Sequence, residues 1–234
     1  MRPLILSVLL LAAWSTGASA ATRSFAPASF DRIEVTGPFT VDVRTGPAPS
    51  AHAIGSDKAL DRLVVEVRGR TLLVSAKRDD WGNWIGLNGG DLGKVVVHVT
   101  TPALHAAALT GSGDLTVDRV RAPRFNLSLT GSGDVAIGAL NSGRLDVSVT
   151  GSGNARVAGR AQKLRLALQG SGDIDAAKLA AADAEVNVAG SGDAVLNASR
   201  TATVSLMGSG DVRIGGKARC TVNKHGSGDV TCGG

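Results

Sequence analysis

Residues 104–232 are governed by one tetrapeptide. Gly-Ser-Gly-Asp begins at Gly111, Gly131, Gly170, Gly190, Gly208 and Gly226, and Gly-Ser-Gly-Asn begins at Gly151. The copies recur with a nearly constant period that shortens slightly toward the C-terminal end. Self-similarity at so steady a period belongs to repeat architectures, in which each unit stacks on its neighbours instead of packing around a separate core.

Counted from the first Gly of each copy, the residues six, four and two places before it are mostly apolar, as in Phe125, Leu127, Leu129 and Leu164, Leu166, Leu168. So are those four and six places after it, as in Leu115, Val117 and Val212, Ile214. Period-two alternation on both sides of a turn predicts two short strands per repeat, each burying one face. A third inward position nine places on is visible as Val120, Leu140 and Leu179.

Two strands and a corner fit either a hairpin or one coil of a parallel β-helix, and the outward residues decide between them. Three places before the Gly they read Ala108, Ser128, Ser148, Ala167, Asn187, Ser205 and Asn223, and one place before they begin Thr110, Thr130, Thr150. Five places before, Asp146, Arg165 and Glu185 alternate in charge. Stacked coils turn such positions into side-chain ladders in which opposite charges meet. A meander of hairpins has no reason to match residues a whole repeat apart. The predicted fold is all-β, a single-stranded parallel β-helix of coils about 18–20 residues long, with seven recognisable coils spanning roughly 34 Å. The corner requires φ > 0 at the same place in every coil, which Gly alone adopts without a Cβ penalty. On that ground, Gly133→Val and Gly192→Val are expected to destabilise.

Residues 1–20 read as a secretory signal peptide: Arg2, an apolar run from Leu4 to Trp14, and the cleavage site Ala18-Ser19-Ala20. The run is too short for a permanent membrane span. No Cys lies near the cleavage site for a lipid anchor, and no other stretch reads as transmembrane. Residues 21–234 are then expected as one domain in the periplasm or outside the cell, with 21–103 as an irregular N-terminal cap and 104–234 as the regular coils. With no Tyr, four His and 3% aromatic residues, the composition suits repeated strands better than a sculpted catalytic pocket. The net charge of +5 comes from scattered Arg and Lys with no basic run interleaved with aromatics, which argues against nucleic acid as a partner.

From Phe30 to Val99 the chain remains strand-like but loses the strict period. Ile33-Glu34-Val35, Phe39 to Val43, Leu63 to Val67, Leu72 to Val74 and Val95 to Val99 are separated by Gly37-Pro38, Gly46-Pro47 and Gly69, and Val67-Arg68-Gly69-Arg70-Thr71 reads as a tight hairpin link. A solenoid needs such an end piece to hide its first apolar layer and unpaired edge. Ser24-Phe25, the run Phe30 to Val43, Leu63 to Val67 with Thr71 to Val74, and the Gly-Ser-Gly-Asp corners together resemble the autotransporter-adhesin head domain, or GIN domain. The resemblance covers nearly all of the chain after residue 20. It implies a β-helical protein that is secreted or associated with the cell envelope. With no candidate membrane barrel before Gly234, the chain is expected not to export itself.

Several residues invite a chemical reading. Asp114, Asp134, Asp173, Asp193, Asp211 and Asp229, with Asn154 standing in once, form one column. Each is read as closing its own turn by accepting backbone N–H groups. The alternative is calcium held between coils, as in G-G-x-G-x-D repeats, but the copies lack the second Asp and the nine-residue period. Cys220 and Cys232 lie six places either side of Gly226, so both are expected to point inward from the last coil. In an oxidising compartment they read as a disulfide closing a loop worth roughly 3 kcal/mol; metal or redox chemistry is the alternative, without C-x-x-C spacing. Trp81 and Trp84, in a loop with four glycines, either stack on a sugar or partner or fold back as a lid.

Other motifs carry less. Gly131 to Ala136 matches G-x-G-x-x-A, yet it is one of seven equivalent corners and is followed by a strand, not a helix. His225, Ser227 and Asp229 sit too close along one strand and corner to be read as a triad, and the N-x-S sequences at Asn126 and Asn197 are chance matches. No catalytic, cofactor or metal residue is assigned. The expected function is a non-enzymatic envelope or adhesin-like module, with glycan binding or polysaccharide processing as the alternative. Its partner is then an envelope component, a surface glycan or a protein, and edge-to-edge pairing of its end strands is the expected route to homo-oligomers.

Overall fold

The computed structural model of the chain describes residues 21–77 and 94–233. Taken in order, residues 21–103 contain β1 (Ala21–Phe25), β2 (Arg32–Thr36), β3 (Thr40–Thr45), β4 (Ser50–Gly55), the short helix α1 (Asp57–Arg62), β5 (Leu63–Arg68), β6 (Thr71–Ala76) and β7 (Val96–Thr101), and β8 (Ala106–Gly111) opens the regular coils. The helix starts where Ser56 accepts the N–H of Ala59, a side-chain N-cap. Five long strands follow: β9 (Asp114–Gly131), β10 (Asp134–Gly151), β11 (Asn154–Gly170), β12 (Ile174–Gly190) and β13 (Ala194–Gly208). The chain closes with β14 (Val212–Gly215), β15 (Arg219–Gly226) and β16 (Val230–Cys232).

The long strands pair only in parallel, each with the same position one repeat away: Gly111 with Gly131, Gly131 with Gly151, Gly151 with Gly170, and on through Gly190 and Gly208 to Gly226. The fold is the expected parallel β-solenoid, of about 6 turns. Seven motif corners delimit six complete turns, which is why the coil number is one below the motif number.

Each coil has three walls. In β9 the alternation of buried and exposed residues slips at Asp118-Arg119 and again at Pro123-Arg124, and in β10 at Gly138-Ala139 and Gly143-Arg144. A slip in a period-two pattern marks a bend of the backbone. The first wall is 114–117, the short second wall 120–122 and the long third wall 124–130. The single inward residue seen nine places after the Gly thus belongs to a wall of its own. Inward residues stack into one continuous cluster, and its column of Leu109, Leu129, Val149, Leu168, Val188 and Leu206 is at most 3% exposed.

Two different constraints hold glycine at the corner. The first Gly of each motif takes φ between +119° and +137°, the region other residues avoid. The second does not. Its restriction is spatial: a Cβ on Gly133 would press into the carbonyl oxygen of Gly113, and one on Gly192 into that of Gly172. The expectation that φ excludes other residues at Gly133 and Gly192 is therefore corrected to close approach of the next coil. The carbonyl of the first Gly also binds the neighbouring coil. Gly131 O accepts from Ser152 N at 2.9 Å and from Gly153 N at 3.0 Å, and Gly111 O accepts from Ser132 N and Gly133 N.

An eighth corner lies in the cap. Gly37 has φ 121° and its N–H donates to Thr110 O at 2.9 Å, while Thr36 pairs with Thr110. Val35-Thr36-Gly37 repeats Leu109-Thr110-Gly111, a match hidden in the sequence by the Pro at position 38. Stacking here departs from chain order. β2 lies between β8 and β6, and β3 lies between β9 and β7, all parallel, so 32–45 is sandwiched between 106–117 and the outer layer formed by 71–76 and 96–101. Beyond that layer the pairing turns antiparallel: β5 on β6, β4 on β7 and β1 on β4. The expected tight link is present, with Gly69 at φ 62° between the paired residues Arg68 and Thr71.

The contrast between crowded and open glycines gives a test. Gly133→Val is expected to lower unfolding free energy by about 3 kcal/mol through overpacking. Gly69→Ala, whose Cβ would meet nothing within 4 Å, carries only the φ penalty of about 1 kcal/mol. Urea unfolding of both variants measures the difference, and equal losses would refute the close-approach account.

Candidate functional site

The motif Asp column forms a hydrogen-bond ladder along the Gly-Ser-Gly-Asp corner. Asp134 Oδ1 accepts from Asn154 N at 3.1 Å, Asn154 Oδ1 from Asp173 N at 3.1 Å, and Asp173 Oδ1 from Asp193 N at 2.9 Å. Asp193 Oδ1 accepts from Asp211 N, and Asp211 Oδ1 from Asp229 N. The side chains thus join successive coils and do not close their own turns, because in-register stacking brings the equivalent N–H of the next coil within reach. Asn154 adds a second link, donating Nδ2 to Asp134 Oδ1 at 2.9 Å. Asp114 heads the column and Asp229, largely exposed, ends it with Lys224 Nζ 3.7 Å away. Among the described residues no three His, Cys, Asp or Glu side chains converge as a metal site.

A second line of charge runs along the corner between the second and third walls. Seven places before each motif Gly, Arg124, Arg144, Lys163, Asp183, Thr201 and Arg219 pair in register from coil to coil. Two places further on lie Arg32, Asn126, Asp146, Arg165 and Glu185. Asp146 is shared: Arg144 Nε donates to both of its oxygens at 2.9 Å and Arg124 Nε lies 3.4 Å away. Arg165 donates to Glu185 Oε2 through Nε at 2.9 Å and Nη2 at 2.6 Å, the expected meeting of opposite charges.

Asp183 takes Arg200 and the Thr201 hydroxyl, the latter at 2.8 Å. These hydrogen bonds, Arg200 first, hold its carboxyl below the ordinary carboxylate value against a smaller desolvation effect. A lowered pKa contributes stability above the ordinary carboxylate range that is lost as pH falls through the lowered value. Asp146, likewise, holds the Arg144 guanidinium in its charged form.

At the cap end this corner turns polar on the inside. The inward column of Phe125, Leu145 and Leu164 continues through His105 and Asp31 to Arg70. Asp31 is buried; its Oδ2 is bound by Arg70 and lies 3.2 Å from His105 Nδ1, and its Oδ1 has no hydrogen-bond partner. A hollow of about 310 Å³ opens here among Asp31, Arg32, Arg70, His105, Arg124 and Asn126. A second, of about 220 Å³, lies among Arg144, Lys163, Arg165, Asp183 and Glu185. Sequence reasoning misses this corner because its cations stand a whole repeat apart along the chain. The available signal is their shared offset before three consecutive motifs.

The remaining singled-out residues do not gather around it. Cys220 and Cys232 are joined as a disulfide that ties β15 to β16. Both stand in register with inward residues, Cys220 with Ala202 and Cys232 with Ile214; Cys220 is half-buried against the core and Cys232 is exposed. Ser227 donates its hydroxyl to Ser209 Oγ at 3.1 Å, so His225, Ser227 and Asp229 form no relay. Trp81 and Trp84 lie outside the described residues, as does the segment 1–20.

The family model described as "Putative auto-transporter adhesin, head GIN domain" matches residues 29–218. A structure described as a "putative adhesin" from Bacteroides fragilis NCTC 9343 superposes with TM-score 0.82 at 22% identity, over 92% of this chain and 98% of that one. A "putative lipid binding protein" from Parabacteroides distasonis ATCC 8503 gives TM-score 0.68 at 20% identity, over 91% and 96%. A "putative adhesin" from Parabacteroides merdae ATCC 43184 gives 0.69 at 16% identity, over 91% and 95%. At these identities the likeness is one of fold. No curated protein sequence matches.

The Asp ladder yields a prediction. Asn154→Asp removes the column's one side-chain donor and makes its seven members an unbroken row of carboxylates, so stability at neutral pH is expected to fall by about 1 kcal/mol. Adding salt or lowering the pH should narrow that loss. EDTA should leave the Tm of the unmodified chain unchanged; a fall of several degrees would replace the ladder with a metal site.

Proposed function

The chain belongs to the auto-transporter adhesin head GIN domain family, and on that premise we propose that it is a non-enzymatic interaction module of the cell envelope or exterior. The observation that carries this reading is the third wall. One of its outward columns, Ala108, Ser128, Ser148, Ala167, Asn187 and Ser205, pairs in register. It forms a flat strip of small side chains on a wall stiffened by unbroken parallel pairing. Such a face fits closely against another surface without long side chains to immobilise. Its partner is an envelope component, a surface glycan or a protein.

Export through a cleaved signal peptide at residues 1–20 is consistent with the disulfide, which persists in oxidising compartments. Among the described residues no helix is long and apolar enough to cross a membrane. The exposed strand β15 offers an edge on which a second copy could pair. A sugar-stacking role for Trp81 and Trp84 rests on the sequence alone.

Labelled protein is expected to bind whole cells or envelope fractions, and Ser128→Arg with Ser148→Arg to reduce that binding at least tenfold without changing the circular dichroism spectrum. Unchanged binding by the double variant would refute the flat-face reading. Glycan depolymerisation by the unmodified chain, lost on a single Asp or Arg substitution, would refute the non-enzymatic one.

A further inference from the structure

The corner between the second and third walls holds an arrangement that stability alone does not favour. Arg124, Arg144 and Lys163 occupy directly paired positions in three consecutive coils, one coil rise of about 4.8 Å apart. Like charges directly opposite on a sheet repel. Asp146 answers the first two, while Lys163 stands opposite Asp183, whose hydrogen bonds go to Arg200 and Thr201 and not to Lys163. The same column shows what relieves such repulsion, since further along it carries Asp183 and Thr201.

The imbalance extends along the corner. Arg32, Arg70, Arg124, Arg144, Lys163, Arg165, Arg200 and Arg219 make eight cations, against the four carboxylates Asp31, Asp146, Asp183 and Glu185, an excess of four where the whole chain has five. The motif corner, by contrast, carries the Asp column. The two hollows of about 310 and 220 Å³ lie on the cationic corner, toward the two ends of the Arg124–Arg144–Lys163 stack. The adjoining second wall is a shallow, alanine-lined trough of about 450 Å³ that includes Ala161, Ala180 and Ala182.

We infer that this corner binds a linear acidic polysaccharide of the uronate type, lying along the solenoid axis with its carboxylates on Arg124, Arg144, Lys163 and Arg165 and its sugar rings over the alanine trough. A polyuronate offers a carboxylate on every sugar, and a pyranose unit is comparable in length to one coil rise. Arginine binds carboxylate through paired N–H donors. No aromatic side chain other than the His105 imidazole lines either hollow, so the platform on which single-stranded nucleic acid stacks is missing. Among the described residues the exposed large apolar side chains are Ile54, Met207 and Val222, and none of them lines either hollow, so the hollows lack the apolar anchor of a membrane-surface binder. The inference rests on the reading of the chain as an exterior interaction module, but uses the charged edge of the third wall at the corner, not its Ser128 and Ser148 column.

Polygalacturonate and neutral dextran, offered to the purified chain in biolayer interferometry, test it. Polygalacturonate is expected to bind at low ionic strength and release as salt rises, and dextran not to bind. Arg124→Gln with Arg144→Gln and Lys163→Gln should weaken binding at least tenfold. Lys163→Gln alone, which breaks no hydrogen-bonded ion pair, should weaken it several-fold with Tm nearly unchanged. The inference is overturned by no binding to polygalacturonate, by equal binding to dextran, or by preference for phosphatidylglycerol vesicles that the triple variant abolishes. A fall in Tm on Lys163→Gln with binding intact also overturns it, making the column structural. Binding to cells by the Ser128 and Ser148 face is read separately, so either surface can fail without the other.

Discussion

The closeness of successive coils at the glycine corner is the constraint on which the rest of the molecule depends. The carbonyl of one motif's first Gly lies where a Cβ on the next would be, and there it accepts two N–H groups from the coil above. With that approach secured, the walls between corners stay in parallel register, and every position in the repeat becomes a column. Apolar columns merge into a single shaft whose members shield one another from water. A larger side chain at any one corner would push its coil out of line and unpair walls some distance away.

The same register separates charge. Along the motif corner, carboxylates survive one coil apart because those from Asp134 to Asp211 accept a backbone N–H from the next coil, and Asn154 supplies a donor where the row of carboxylates would otherwise run unbroken. Along the corner between the second and third walls, cations accumulate and the few carboxylates are shared, Asp146 by Arg124 and Arg144. A chain of modest net charge thereby presents one acidic edge and one basic edge. Stacking, not composition, creates that polarity.

Most of the fold was legible in the residues because a solenoid is local in an unusual sense: each coil touches only the coils one period away. Phe125, Leu145 and Leu164 share an offset, and so share a column. The cap was legible only as strands. Nothing in Ile33-Glu34-Val35 says that it lies between Leu72 and Ala107, both of them far along the chain. No repeat links those segments, and the switch to antiparallel pairing outside β6 and β7 depends on which edge remains free once they dock. Gly37 is a further corner of the same column, but its positive φ and the register of Thr36 with Thr110 show it, not the sequence, where Pro38 breaks the motif.

The candidate sites divide in the same way. The Asp column was evident from spacing, but its hydrogen bonds run between coils, a direction that a linear reading of each turn does not contain. The basic corner joins residues such as Arg32 and Arg124 that no local pattern connects. By itself the amino-acid order determined the period, the inward and outward faces and the demand for glycine, because these follow from side-chain size and alternation within one repeat. Only the tertiary structure decided the stacking order of the cap, the separate second wall and the neighbours of each charge, because those depend on which backbone edges meet in space.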